Sequence, residues 1–280
     1  MTSETTILSE WKSPCFVTSI YPTTDGQVWT NCYYSDTITL LDKSGDVIQE
    51  IKHTNGIVDI GFSPDNSTLW ACNTENNVLE LESGKLVNRF NTERKPCSIC
   101  ITASNDVIVG WDYHVTKFTT GGKKLVTTDS TGDGKPLLGR PHRMAECPVT
   151  QNIAVVNLYN IFGLDEGEDC VVVMDTDLNG LFSYHGEVPC TYQQTSQSED
   201  KPFDPWGVVY DSVGNLIIGD SNNNRVLLIS GRGEFLRIIH TDIFCISAVG
   251  IAKEDVLWTV TGYSNVKLLQ YSSVSGNHDN

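Results

Sequence analysis

Short apolar runs separated by polar turns recur along the whole chain. Six of them form a spaced series: Val28-Trp29-Thr30, Leu69-Trp70-Ala71, Val107-Ile108-Val109, Ile153-Ala154-Val155, Leu216-Ile217-Ile218 and Leu257-Trp258-Thr259. The steps between them are about 40, 40, 45, 65 and 40 residues, in the range of propeller blades. Turn chemistry precedes most of the runs, as in Asp25-Gly26, Ser104-Asn105-Asp106 and Val213-Gly214-Asn215. Each run leads through a polar loop into another, such as Ile38-Thr39-Leu40-Leu41 or Val266-Lys267-Leu268-Leu269. A Gly-bearing turn (Ser44-Gly45, Ser83-Gly84, Gly121-Gly122, Asn179-Gly180) then opens a further strand. No long window carries helical periodicity. The pattern predicts an all-β fold: a six-bladed β-propeller with four short antiparallel strands per blade.

The two ends complement each other. The sixth copy stops at its third strand, Val266 to Tyr271, and gives way to a Ser/Gly/Asn tail. The chain begins with a strand-like segment, Thr5 to Trp11, that has no blade of its own. The expectation is that this segment completes the last blade and so removes two exposed sheet edges. One propeller then spans residues 1–273, with blades at 14–52, 53–93, 94–130, 139–188, 202–241 and 245–273 plus 5–13. Residues 274–280 form a flexible tail.

Composition narrows the function classes. The 280 residues carry 35 Asp and Glu against 19 Lys and Arg, a net charge of −16. That balance disfavours attraction to phosphate backbones, so RNA is a possible but disfavoured partner. No stretch approaches the apolar length of a membrane span, and no signal peptide is recognised, so no membrane partner is expected. Most of the nine Cys sit in strand-like apolar runs, where Cys behaves as a small hydrophobe. Cys97 and Cys100 are spaced like a metal pair, but residues three apart on a strand face opposite sides, so no zinc site is expected. Reduced thiols point to the cytoplasm. No cofactor is expected, and a monomer is.

The fifth copy is the sharpest: Pro205-x-Gly207-Val208, Asp211, Gly214-Asn215-Leu216, Asp220 and Asn223-Asn224-Arg225-Val226. It resembles an NHL repeat. Six such copies with a closing N-terminal strand resemble the C-terminal propeller of tripartite-motif (TRIM) NHL proteins. The first and sixth copies match less closely, and the third and fourth are degenerate. The RING, B-box and coiled-coil modules of full-length members have no counterpart here, since there is no paired Cys/His array and no heptad segment. The resemblance implies the recognition half of a ubiquitin-ligase system, binding protein or, in some members, RNA.

Propeller topology gathers the loops between second and third strands, and those between blades, on one face around the channel. Those loops carry Tyr33, Tyr34, Trp111, Tyr113, Tyr159, Phe162 and Tyr263. Tyr and Trp are residues that anchor interfaces, although about half of these rings are expected to pack between blades instead. Arg140, His142, Arg143 and Trp206 enter beside them at the channel mouth. Arg140 and Arg143 are expected to orient an acidic or carbonyl group. Arg225 reads more readily as blade packing, and His142 as a channel residue than as a catalyst. The long segments 161–169 and 189–202 break the repeat, and the polar stretch 195–200 reads as disordered.

Some six-bladed propellers are metal-dependent lactonases, esterases or lyases. Such chemistry needs oxygen or His ligands converging from several innermost strands. The mouth positions expected from the repeat are Val17, Val58, Cys97, His142, Trp206 and Ala248, an apolar ring with one His. The sequence therefore predicts a non-enzymatic recognition module that binds a protein or peptide through its loop face. An RNA-binding propeller is the first alternative, and a metal-dependent hydrolase the second.

Overall fold

The computed structural model describes residues 5–63, 68–128, 137–159, 167–189 and 201–273. Six four-stranded antiparallel sheets form a ring. β1 (Thr6–Lys12) stands apart from the first blade, which is β2 (Ser19–Pro22), β3 (Val28–Asn31), β4 (Thr37–Leu41) and β5 (Val47–Lys52). The second blade is β6 (Ile57–Phe62), β7 (Leu69–Asn73), β8 (Asn77–Glu82) and β9 (Lys85–Asn91). The third is β10 (Ser98–Ile101), β11 (Val107–Trp111), β12 (His114–Phe118) and β13 (Lys124–Thr127). The fourth is β14 (Arg140–Glu146), β15 (Ile153–Leu158), β16 (Cys170–Met174) and β17 (Gly180–Tyr184). The fifth is β18 (Pro205–Tyr210), β19 (Leu216–Asp220), β20 (Arg225–Ile229) and β21 (Phe235–Thr241). The sixth has β22 (Ile246–Ile251), β23 (Val256–Thr261) and β24 (Asn265–Gln270), and β1 is its outermost strand. All six apolar runs of the sequence series are second strands, which are buried on both faces between neighbouring blades.

Closure follows the expectation. β1 runs antiparallel to β24, from Thr6 opposite Gln270 to Lys12 opposite Asn265. Trp11 meets Trp258 edge-on at 6.4 Å between ring centroids. It also lies over Gly45 in the turn between β4 and β5, where a Cβ would stand 2.5 Å from the indole. The seam between the last and first blades is thus built from a residue at each end of the repeat array.

The apolar residues collect between blades rather than in a single centre. Ile38, Leu40 and Trp29 of the first blade pack on Ile60, Leu69 and Leu79 of the second. Val17, Ile20 and Val28 pack on Ala248, Trp258 and Val260 of the sixth. Outer strands are polar and exposed, as in β5 and β9, because only one of their edges is paired and their side chains meet water. Among the described residues no helix is long and apolar enough to cross a membrane.

Each innermost strand starts with an extra residue on the loop face. Register shifts place Val58, His142, Trp206 and Ser247 in that position. In the same way Thr18 N and Cys97 N donate to Asn31 O and Gly110 O, the residues paired with Ser19 and Ser98. The residues at these register positions are therefore Thr18, Val58, Cys97, His142, Trp206 and Ser247. Two expected members, Val17 and Ala248, lie one residue away from these register positions, and Ala248 lines the cavity of the channel.

Candidate recognition face

Aromatic rings pass in sequence around the channel mouth. Tyr33 and Tyr34 lie 4.1 Å apart, Tyr33 and His142 6.3 Å, His142 and Trp206 5.2 Å, Trp206 and Tyr263 6.4 Å, and Tyr263 and Phe16 6.5 Å. The arc crosses blades one, four, five and six. It joins residues up to 247 positions apart, because the ring brings the second-to-third-strand turns and the entries to the innermost strands to one face. Tyr34 and Tyr263 are exposed, Tyr33 and Trp206 half-buried.

Beyond Tyr263 the face stays apolar. Phe16 is 65% exposed and Ile243 82%, with Phe244 half-exposed beside Gly262. Asp242 fixes their loop by accepting hydrogen bonds from the Ile243 and Phe244 amides. Phe16, Ile243 and Phe244 carry no repeat signature, and the sequence reading passed over them; exposed hydrophobics in inter-blade loops were the available signal.

The turns are held in an uncommon conformation. Each described turn between a second and third strand contains a non-glycine residue with positive φ: Tyr34 (65°), Asn76 (61°), Tyr113 (34°), Asn224 (51°) and Tyr263 (65°). Asn enters this left-handed region readily, whereas a bulky ring is rare there. Three tyrosines thus occupy positions where the local backbone favours Asn or Gly.

Four expected site residues behave differently from the arc. Trp111 is buried at 4% exposure, packed against Phe118 at 5.8 Å between ring centroids. It ends β11 facing the core between blades two and three, so it is not a surface anchor. Tyr113 is exposed, with its amide tied to Gly139 O, but it makes no ring contact with the arc among the described residues. The Tyr159 ring is half-buried between Gly139 and Gly167, and its amide donates to Asp169. Arg143 is buried and used inside the channel, so it does not orient a ligand on the face. Phe162 and the segments 161–166 and 190–200 lie outside the described residues.

Arg143 bridges blades. Its Nη2 donates to Thr18 O at 2.9 Å, its Nη1 donates to His142 O at 2.8 Å, and Nη1 stands 3.6 Å from Asp59 Oδ1. Asp59 also accepts from Ser19 Oγ at 2.9 Å and from Ile99 N at 3.1 Å. Blades one, two, three and four are thereby tied together at one level of the channel. Below lies a cavity of about 360 Å³, roofed by Arg143 and Trp206 and walled by Ile20, Val208 and Val249. Its lining continues to Pro22, Phe62 and Glu146 at the opposite face. Arg225 pairs with Asp220 at 2.9 Å, both buried, the packing role expected of it.

Two titratable groups stand at the mouth. Burial, reinforced by the charges of Arg143 and Arg140, holds His142 well below the usual histidine range, so the ring is neutral. Its Nε2 is buried without a hydrogen-bond partner. Burial pushes Asp204 up to about 6, partly offset by the 2.9 Å hydrogen bond that its carboxylate accepts from Trp206 Nε1. Among the described residues no three or more His, Cys, Asp or Glu side chains gather as a metal site would.

The NHL repeat family matches residues 204–227, within the fifth blade. No curated protein sequence matches the chain. Among solved structures, a catalytically inactive virginiamycin B lyase from Staphylococcus aureus with quinupristin is similar with a TM-score of 0.63 at 14% identity, over 92% of this chain and 82% of that one. A streptogramin B lyase is similar with a TM-score of 0.63 at 12% identity, over 96% and 98%. At such identities the likeness is one of fold.

Proposed function

We propose that the protein is a recognition module whose loop face binds a protein or peptide partner. The observation that carries this reading is the run of rings from Tyr34 to Phe16 around the channel mouth, continued by exposed Ile243 and Phe244. Exposed aromatic surface in contiguous loops on a rigid scaffold is what interface anchors require. The three left-handed tyrosines support it, since strain of this kind is retained where the side chain has work outside the fold. The net charge of −16 sets an RNA partner aside. The NHL repeat fits the recognition half of a ubiquitin-ligase system, with the ligase subunit acting in trans.

The test is affinity capture followed by reconstitution with the purified partner. Tyr263→Ala and Phe16→Ala are each expected to weaken binding roughly thirtyfold, from about 2 kcal/mol per buried anchor. Asp46→Ala and Lys123→Ala on the opposite face leave it unchanged. Retention by the loop-face variants with loss in the opposite-face variants would reject the reading, and an RNA captured instead would replace it.

A second reading is enzymatic. It is favoured by the neutral His142, whose unpartnered Nε2 is available to take or give a proton at the mouth, on a fold shared with lyases. Conversion of quinupristin by the protein, followed by chromatography and lost in His142→Ala, would establish it; no conversion removes it.

A further inference from the structure

The geometry points to an oxyanion subsite at one end of the aromatic arc, formed by Arg140, Lys95 and the hydroxyls of Tyr33 and Tyr34, that takes a peptide's carboxylate or phosphate group. This rests on the recognition reading and names the chemistry of its partner.

The four groups form one connected cluster drawn from three blades. Arg140 Nη2, at the start of blade four, donates to Tyr33 Oη at 2.7 Å. Lys95, in the loop before blade three, donates from Nζ to Tyr34 Oη at 3.4 Å and lies 4.6 Å over the Tyr34 ring. The two tyrosine rings lie against each other, 4.1 Å apart between centroids. Tyr34 Oη accepts from Lys95 and keeps its own O–H as a donor. Lys95 has two further N–H groups, and the Arg140 fork has N–H groups beyond its one bond to tyrosine. Arg140 Nε is buried without any partner.

Charge makes the cluster unusual for this chain. Carboxylates outnumber cations 35 to 19, and neighbouring cations have found them: Arg94 pairs with Asp112, and Arg143 faces Asp59. Among the described residues Arg140 and Lys95 pair with no carboxylate; they rest on neutral phenols, with the Cys97 thiol also beside Arg140. A half-buried guanidinium and an exposed ammonium beside the Tyr34 O–H form a site short of an anion. Burial raises the Tyr34 phenol, but the neighbouring Tyr33 hydroxyl, the bond from Lys95 and the charges of Lys95 and Arg140 bring it below the ordinary value. Tyr33 and the arc toward His142 and Trp206 supply the adjoining apolar surface, so the fitting group is an oxyanion beside a ring or apolar side chain.

Three probes separate the sources. N-acetylphenylalanine carries a carboxylate, N-acetyl-phosphotyrosine amide a phosphate, and N-acetylphenylalanine amide the ring alone. Binding is followed by chemical shifts of the tyrosine and lysine resonances of the full chain. At least one anionic probe is expected to bind about tenfold or more tightly than the neutral amide, and the tighter of the two names the source. Arg140→Gln and Lys95→Gln each remove that preference while leaving the neutral probe and the melting temperature unchanged. Equal binding of charged and neutral probes, no saturable binding of either anion, or a preference that survives the double variant overturns the inference. Failure here with partner capture still lost in Tyr263→Ala removes the oxyanion subsite alone; capture unaffected by Tyr263→Ala and Phe16→Ala removes the face reading whatever the probes do.

Discussion

Replacing Arg143 with Met tests whether the channel is held by one charged bridge. Arg143 is 8% exposed and Asp59 2%. The substitution keeps an unbranched apolar stem but removes the cation 3.6 Å from Asp59 and the donors to Thr18 O and His142 O. A buried carboxylate stripped of its partner destabilises by about 3–5 kcal/mol. At about 2 °C per kcal/mol for a chain of this length, the melting temperature falls by about 6–10 °C. Asp59 keeps its bonds from Ser19 and Ile99, which places the loss toward the lower end. Without the Arg143 charge, burial raises the Asp59 carboxyl further above its unfolded value. A raised carboxyl contributes stability that is present below its unfolded value and lost as pH rises through its folded value. The deficit is therefore larger in mildly alkaline than in mildly acid buffer. Adding Asp59→Asn removes the stranded charge while an amide still bonds to Ser19 and Ile99, so the double variant regains about half of the loss. Urea unfolding at two pH values reads all of this, with a shifted midpoint at constant slope. A single variant within about 1 kcal/mol of the parent, or a double variant whose loss is the sum of the two singles, would refute the bridge.

Three further outcomes follow from the geometry. Deleting residues 1–13 removes β1 and the Trp11 contact with Trp258, so β24 becomes an open edge; light scattering and melting should report association and a large fall in melting temperature, and a monomeric, equally stable product would contradict the closure. Asp204, raised to about 6, adds stability that is present below its unfolded value near 4 and lost as pH rises through about 6. For a half-exposed group this is of order 1 kcal/mol, and Asp204→Asn should flatten both it and the accompanying change in Trp206 fluorescence. Tyr113→Asn relieves a ring held at φ 34° on an exposed turn and should raise stability by about 0.5–1 kcal/mol; a loss of that size would show that the Tyr113 ring supports the fold.

The sequence alone determined the architecture. The six second strands were legible because a strand buried on both faces must be apolar throughout, while its flanking turns need Gly, Asn or Asp. The N-terminal closure was legible as well, because a blade lacking its fourth strand leaves an edge that something must cover. The clustering of Tyr33, Tyr34, Arg140, His142, Trp206 and Tyr263 at one mouth followed from topology once the strands were placed.

What the tertiary structure decided were the directions of side chains. Trp111 ends a second strand and Tyr263 stands two residues past the end of another, and Phe118 and its neighbours draw Trp111 inward while Tyr263 stays out. Arg140 and Arg143 sit on one strand, yet a bulge at His142 sends Arg143 across the channel to Thr18, 125 residues away, and leaves Arg140 on Tyr33. Lys95 acquired its role only because its loop passes over Tyr34, 61 residues earlier. Strand periodicity sets which residues are apolar, but a single extra residue in a strand reverses which way the next one points, and contacts between distant blades fix the rest.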